Sequence, residues 1–392
     1  MRPRNALARD QLPALLRRQP GAKAPELAAQ AQVSAPTMVR MLAEASTDVL
    51  RLGKAGRTRY YLRRSVRGQW SQLPVYRVDP TGRAESAGVL QLLAPAGSCL
   101  DVAAMGWPVD ADTAEGVCLH GLPYPLQDMR PQGYLGRQFA VRHAVALGVA
   151  PSPQAWSDDD VLHILATTGT DTPGNLIVGD VALQAWLQTK AQPVPFIAAA
   201  DVAQAYADLA ALASAQGVAG SSAAGEFPKF TALREAPVGM ESSTPHVIVK
   251  FSGADASSTV QRWSDLLVCE HLALQAAATL PGVRSAPSRV LQHAGRTFLE
   301  VERFDRHGLH GRSPLCSLDT LEAAIGPKAS SSWPEAAALL HQQGWLDVDS
   351  LAVVQRLWLF GKLIANADMH KGNLSLVPDL GALQVAPAYD ML

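Results

Sequence analysis

Cysteine is scarce in this chain of 392 residues, and the four present, Cys99, Cys118, Cys269 and Cys316, are scattered. None stands in a CxxC pair or beside histidines at zinc-ligand spacing. A structural zinc and a disulfide framework are therefore not expected, and a reducing cytosol fits. Long apolar runs are missing too. No segment approaches the length of a membrane span, and the N-terminal stretch MRPRNALARDQL has no apolar signal core. A soluble cytoplasmic protein with no membrane partner is expected. An excess of one charge is also lacking: net charge is −1, so any contact with nucleic acid has to be local. Internal repeats and low-complexity tracts are absent. What the chain does have is length and 48% hydrophobic residues, which predict two or three domains.

The first 65 residues differ from the rest. Leu7 to Arg18 reads as an amphipathic helix with Leu12, Leu15 and Leu16 on one face. Pro25 to Ala31 reads as a short second helix with Pro in its opening turn. Ser34 can cap a third helix running to about Ala45, with Val39 and Leu42 expected to face inward. Two strand-like pieces, DVLRLG and TRYYLRR, follow around Lys54-Ala55-Gly56-Arg57 and predict a hairpin. Three helices and a basic hairpin make a winged helix-turn-helix. Small polar residues open its third helix, Ser34 and Thr37, and basic ones flank it: Arg40, then Arg51, Lys54, Arg57, Arg59, Arg63 and Arg64. That pattern suits base edges at the helix start and phosphates around it, so DNA is the expected partner. A protein-interaction domain of the same fold, or a merely solvated basic face, has the same pattern.

From Val75 to Val149 the pattern turns β-rich. A helix follows from Asp158 behind an acidic cap, then the turn TTGTDTPGNLIVGD, then an Ala-rich helix over 198–216. The stretch GSSAAGEFPKF, Gly220 to Phe230, is small and Gly-bearing. Backbone N–H groups at Ala224 and Gly225 can approach a phosphate and Lys229 can add a point charge, but Walker A spacing is missing. Taken alone it reads as a flexible loop. HVIVKFSG is an alternating strand carrying Lys250, a costly residue for an inward face unless it meets an anion. Such a strand lysine holds α- and β-phosphates in nucleotide-dependent kinases; the plain reading is a lysine snorkelling to solvent. Glu270, on a helix from about Trp263 to Ala278, is a candidate ion-pair partner. Near the end, a helix over Leu357–Ala365 leads into NADMHKGNLSLV, where Asn373 follows Asp368 by five residues, and Asp390 closes a further strand-like piece. A proton-accepting Asp, then an Asn and an Asp able to hold magnesium, are the parts of phosphoryl transfer.

With SSAAGEFPK, HVIVKF, VERFDR, NADMHKGN and AYDML in this order, and GLPYPLQDMRPQGYLGR and GTDTPGNLIVG upstream, the chain from Val75 to Leu392 resembles the HipA family of serine/threonine kinase toxins. The fused winged helix resembles the YjjJ branch of that family, also called HipH. The resemblance implies an α+β fold, with the winged helix-turn-helix over 1–65, a β-rich subdomain over 70–195 and a two-lobed protein-kinase-type core over 196–392. It further implies a helical C-terminal portion beyond Asp390; two residues follow that position here, so either the chain is truncated or the remaining lobe is unusually small. It implies ATP and Mg2+, with Lys250 on the phosphates, Glu302 and Phe304 at the hinge that holds adenine, and His370 touching nucleotide. Asp368 takes the part of catalytic base, and Asn373 and Asp390 those of metal ligands. Ser222 falls on the autophosphorylated serine of the phosphate loop, where a phosphate would repel those of ATP and expel the loop. The Glu-Phe-Pro of this loop departs from the family pattern, and Glu226 would repel phosphates unless it points away. The resemblance implies a protein serine as acceptor, with an aminoacyl-tRNA synthetase as target class, growth arrest as outcome, and an antitoxin as a further partner. Two other readings are a DNA-binding regulator on a catalytically inactive kinase scaffold and a small-molecule kinase of the aminoglycoside-phosphotransferase type.

Overall fold

The computed structural model describes residues 3–109, 116–215, 226–236, 242, 244–325, 330–379 and 381–392. Chain contacts divide it into two compact units, one of residues 1–75, 87–105 and 109–123, the other of 76–86, 106–108 and 124–392.

The first unit opens with three helices, Pro3–Arg18, Ala24–Gln30 and Ala35–Glu44, followed by an antiparallel pair, Val49–Leu52 with Arg59–Leu62. Leu12, Leu16, Leu27, Met38, Leu42, Val49, Tyr60 and Leu62 form its core. Ser34 caps the third helix by accepting the Thr37 N–H at 3.3 Å, which fixes the helix start and its rotation. The inward stripe of that helix is Met38, Met41 and Leu42. Val39 is 47% exposed, so the expectation that it faces inward is corrected. It lies one position, about 100°, round from Met38 on the helix, and the i, i+3, i+4 spacing of the two methionines and Leu42 sets the buried face.

The second unit is built on a four-stranded antiparallel sheet in the order Ser288–His293, Arg296–Glu302, His246–Phe251, Lys229–Leu233. The helix Val202–Ala215 covers one face, where Val202, Tyr206 and Ala210 pack with Phe230, Val247, Val249, Phe251 and Phe298. Because side chains alternate along a strand, Glu300 and Glu302 share that apolar face. They are tolerated there because Arg234, fully buried, donates to Glu300 at 2.9 Å and to Glu302 at 2.7 Å. Arg289 and the Tyr206 hydroxyl complete the shell of Glu300 at 2.6 and 2.7 Å. Burial alone would raise the Glu300 pKa, but these donors outweigh it and hold the carboxyl below its ordinary range.

Beyond Glu302 the chain leaves the sheet, and its charges are consumed by an ionic junction. Arg303 reaches Asp305 at 3.1 Å and Asp171 at 2.7 Å; Arg306 reaches Asp305 at 2.7 Å and Asp171 at 2.8 Å. Arg306 also donates to the carbonyls of Thr172 and Gly174, and Asp305 accepts the Gly174 N–H at 3.0 Å. The motif VERFDR is thus bolted to the turn GTDTPGN. A second upstream segment docks similarly: Asp128 accepts the Ser317 N–H at 2.5 Å and the Thr320 hydroxyl at 2.7 Å, at the start of the helix Leu318–Ile325. Helices Trp333–Gln342 and Val348–Leu363 pack on each other and precede the loop that leads into the strands Ser375–Asp379 and Ala382–Val385. The last of these helices begins nine residues before Leu357, the first residue of the helix read from sequence.

Two stability predictions arise here. Arg234→Ala leaves two buried carboxylates short of their cation and is expected to destabilise the protein by about 3–5 kcal/mol in chemical denaturation. Asp305 is buried and Asp171 half-exposed; at both, the charges of Arg303 and Arg306 outweigh desolvation and hold the pKa below the ordinary carboxylate range. The junction therefore contributes in full above about pH 4, where the unfolded carboxyls ionise, and is lost as pH falls through the lower folded values. Melting temperature should drop below about pH 4, and Asp171→Asn should shrink that drop; an unchanged acid limb would refute the assignment.

Candidate active site

The face of the sheet opposite the apolar core carries a cluster of charged side chains. Lys250 points to it, and the helix Ser258–Ala277 runs over it, capped by Ser257 at the Val260 N–H. Glu270, in the fourth turn of that helix and 1% exposed, accepts the Lys250 ammonium at 2.6 and 2.8 Å. Asp390 accepts it at 2.6 Å from the other side. Asp390 has a left-handed backbone, φ +51°, a conformation Asp adopts more readily than most residues. Desolvation would push the Lys250 pKa down, but Asp390 and Glu270 more than reverse it and the ammonium stays protonated. Burial and the neighbouring Asp390 charge push Glu270 up, despite Lys250. Asp390 moves down, because Lys250, Lys229 and His370 together outweigh its desolvation.

Register adds a second cation. Lys229 is the cross-strand partner of Lys250, so the two side chains share this face. Lys229 lies 3.1 Å from Glu226. Glu226 in turn accepts the Tyr134 N–H at 2.8 Å and the Arg137 guanidinium at 2.9 Å. Tyr134 is in the first turn of the helix Gly133–Leu147, where unpaired N–H groups and the helix dipole favour an anion. Burial would raise the Glu226 pKa; Lys229, the Tyr134 N–H and Arg137 lower it. The carboxylate that looked hostile to phosphates is directed into this socket. Ser222, Ala224 and Gly225 lie outside the described residues.

The segment after the helix Val348–Leu363 folds on itself. Asn366, buried, accepts the Asp368 N–H at 2.8 Å through its Oδ1, and among the described residues its Nδ2 has no partner. Asn373 donates its Nδ2 to the Asp368 carbonyl at 2.8 Å, which leaves its Oδ1 as the atom it can offer a cation. The Asp368 carboxylate is 74% exposed and its Oδ1 is 3.8 Å from His370 Nε2. Trp333 Nε1 pins the His370 carbonyl at 3.0 Å, and Lys371 is tied to Glu322. Tyr389, next to Asp390, donates its hydroxyl to the Gly372 carbonyl at 2.8 Å and meets Ser375 Oγ at 2.7 Å. The two segments carrying Asn373 and Asp390 are thereby joined.

Of the hinge pair, Phe304 stacks at 5.6 Å on Tyr389 and so stands against the Asp390 segment. Glu302 is different: it pairs with Val247 on the apolar face, while Lys250 pairs with Leu299 on the other. Its carboxylate belongs to Arg234 and its N–H to the Pro287 carbonyl at 2.9 Å. In the first unit, Ser34 and Thr37 hydroxyls bond each other at 2.8 Å, Arg40 is 3.9 Å from Glu44, and Arg59 donates to the Gly21 carbonyl at 3.0 Å. Lys54 and Arg57 are exposed on the turn between the two strands. Sequence reasoning did not single out Tyr134, Arg137, Asn366 or Tyr389; Arg137 and Tyr134 were visible only as letters of GYLGR.

Among the described residues no three His, Cys, Asp or Glu converge as a metal cage. One carboxylate and one amide oxygen match the donor preference of Mg2+, which commonly takes one or two protein oxygens and completes its shell with phosphates and water.

Residues 69–187 match the family model described as YjjJ-like toxin, middle domain, and residues 221–392 the model described as HipA-like C-terminal domain. Among solved structures, HipA in the Shewanella oneidensis MR-1 complex of HipA, HipB and operator DNA is 18% identical, at a TM-score of 0.48, covering 82% of this chain and 76% of that one. The Helicobacter pylori proinflammatory kinase CtkA is 14% identical at a TM-score of 0.30, over 42% of this chain and 53% of that one. Toxin YjjJ of Escherichia coli strain K12 is 38% identical over 370 residues, which span 94% of this chain and 80% of that protein. Similarity sustained at that level across nearly the whole sequence shows that the chain belongs to the family of YjjJ-like toxins, with its HipA-like C-terminal domain.

Proposed function

We propose that this protein is an ATP-dependent serine/threonine protein kinase of HipA type joined to a DNA-binding domain. The observation that carries the reading is the Lys250 ammonium held between Glu270 and Asp390 on a sheet strand, with Lys229 opposite. In this reading Lys250, oriented by Glu270, binds the α- and β-phosphates of ATP, and Lys229 adds charge beside it. The Phe304 ring and the backbone around Glu302 contact adenine, since the Glu302 side chain is committed elsewhere; His370 contacts nucleotide. Asp368, exposed and aimed by Asn366, accepts the proton of the attacking hydroxyl. Asn373 and Asp390 would hold Mg2+, which would supply neutralisation of phosphate charge. A protein serine is the acceptor, with an aminoacyl-tRNA synthetase as target class and Ser222 as the site of self-modification.

The three N-terminal helices and hairpin are, in the same reading, a winged helix-turn-helix over 1–65. The third helix enters the major groove, and Arg40, Lys54, Arg57 and Arg59 meet phosphates. An antitoxin is the remaining partner proposed. The regulator reading is separated from this one by phosphate transfer itself.

Purified protein incubated with labelled ATP and magnesium is expected to label itself and a protein substrate. Asp368→Ala should lower transfer by about 10²–10⁴-fold with an unchanged melting temperature, because the side chain is largely exposed. Full activity in that variant would sink the mechanism, and no labelling of the parent protein beside specific operator binding would favour the inactive-scaffold regulator. For the first unit, Lys54→Ala and Arg57→Ala should each weaken binding to all duplexes alike and reduce the salt slope by about one; a slope independent of both would remove the hairpin from the interface.

A further inference from the structure

Lys229 and Lys250 repel each other across adjacent strands, and their carboxylates are divided unequally. Lys250 has two, Glu270 and Asp390. Lys229 has Glu226, and Glu226 is also claimed by Arg137 and by the first turn of the helix Gly133–Leu147. The helix start is shaped for that carboxylate. Gly133 has φ +60°, and a Cβ there would stand 2.8 Å from Glu226 Oε1, so a residue with a side chain would be both strained and in the way. Arg137 and Lys229 together bring two positive charges to one negative charge, which leaves a local excess of +1.

We propose that Arg137 is a positioning residue for phosphate binding: by holding Glu226 at the helix N-terminus it keeps that carboxylate from neutralising Lys229. The inference rests on the reading of this face as an ATP site. With Arg137 in place, Lys229 can turn its ammonium to a polyphosphate while Glu226 keeps two donors. Without it, Lys229 is the one full cation left to Glu226, and the pair offers phosphates no net attraction. The device explains how a Glu is accommodated three residues from a phosphate-binding Lys.

The test measures affinity for MgATP and for adenosine by calorimetry, using the full chain, Arg137→Gln, and the double variant Arg137→Gln with Glu226→Gln. Melting temperatures are recorded alongside. Arg137→Gln is expected to weaken ATP about tenfold, the order of one hydrogen bond to a charged group, and to leave adenosine unchanged. Adding Glu226→Gln is expected to restore most of the ATP affinity, because the competing carboxylate is gone. Equal losses for ATP and adenosine, or a double variant no better than the single one, would mean a purely structural ion pair and overturn the proposal. Should Arg137→Gln fail to fold, Glu226→Gln alone decides: ATP binding at least as tight as in the parent protein supports the proposal, and weaker binding overturns it. A parent protein that does not bind ATP overturns the reading of the site itself, a result visible before any variant is made.

Discussion

Adjacent antiparallel strands bring directly opposed side chains within a few ångströms, and here the opposed residues are Lys229 and Lys250. Two ammonium groups on one half-buried face cannot be stable unless anions surround them. Much of the second unit is arranged to meet that demand. A helix is laid across the face to bring Glu270, the chain's last segment folds back to bring Asp390, and an upstream helix supplies the socket for Glu226. Three cations, Lys229, Lys250 and Arg137, meet three carboxylates there, Glu226, Glu270 and Asp390.

The opposite face solves the same problem in a fixed way. Arg234, Arg289 and Tyr206 close the shell around Glu300, and Arg234 with Ser242 meets Glu302. Here the ion pairs are buried and every exchange is costly, so they set register and rigidity. One sheet thus carries two separate ionic clusters, one on each face, by strand alternation alone.

Much of this was legible in the sequence, and the failures have physical causes. Alternation in HVIVKF and the capping Ser34 placed a strand and a helix start correctly, since both signals are local. The inward face of the third helix was misjudged at Val39 because two methionines, less obviously apolar than Val, take the buried positions. Lys250 and Glu270 were read as a candidate pair, and the structure brings them together. The partners of VERFDR were not legible: Asp171 lies far upstream, and no short-range pattern couples the two. Glu226 was recognised as an anomaly in its loop, but its socket depends on a helix start remote in sequence. The role of Glu302 side chain was hidden by register, which assigns it to the face away from Lys250.

The Tyr389 hydroxyl has one proton, and it is given to the Gly372 carbonyl; Ser375 must therefore donate to the Tyr389 oxygen. Two strands of chain meet at that oxygen, and Asn373 and Asp390 are attached immediately beside it on either strand. The two backbone segments are held together by the folded protein itself. In the proposed reading, a cation held by both would meet segments already joined by the fold, with little ordering entropy left to lose at the moment of binding.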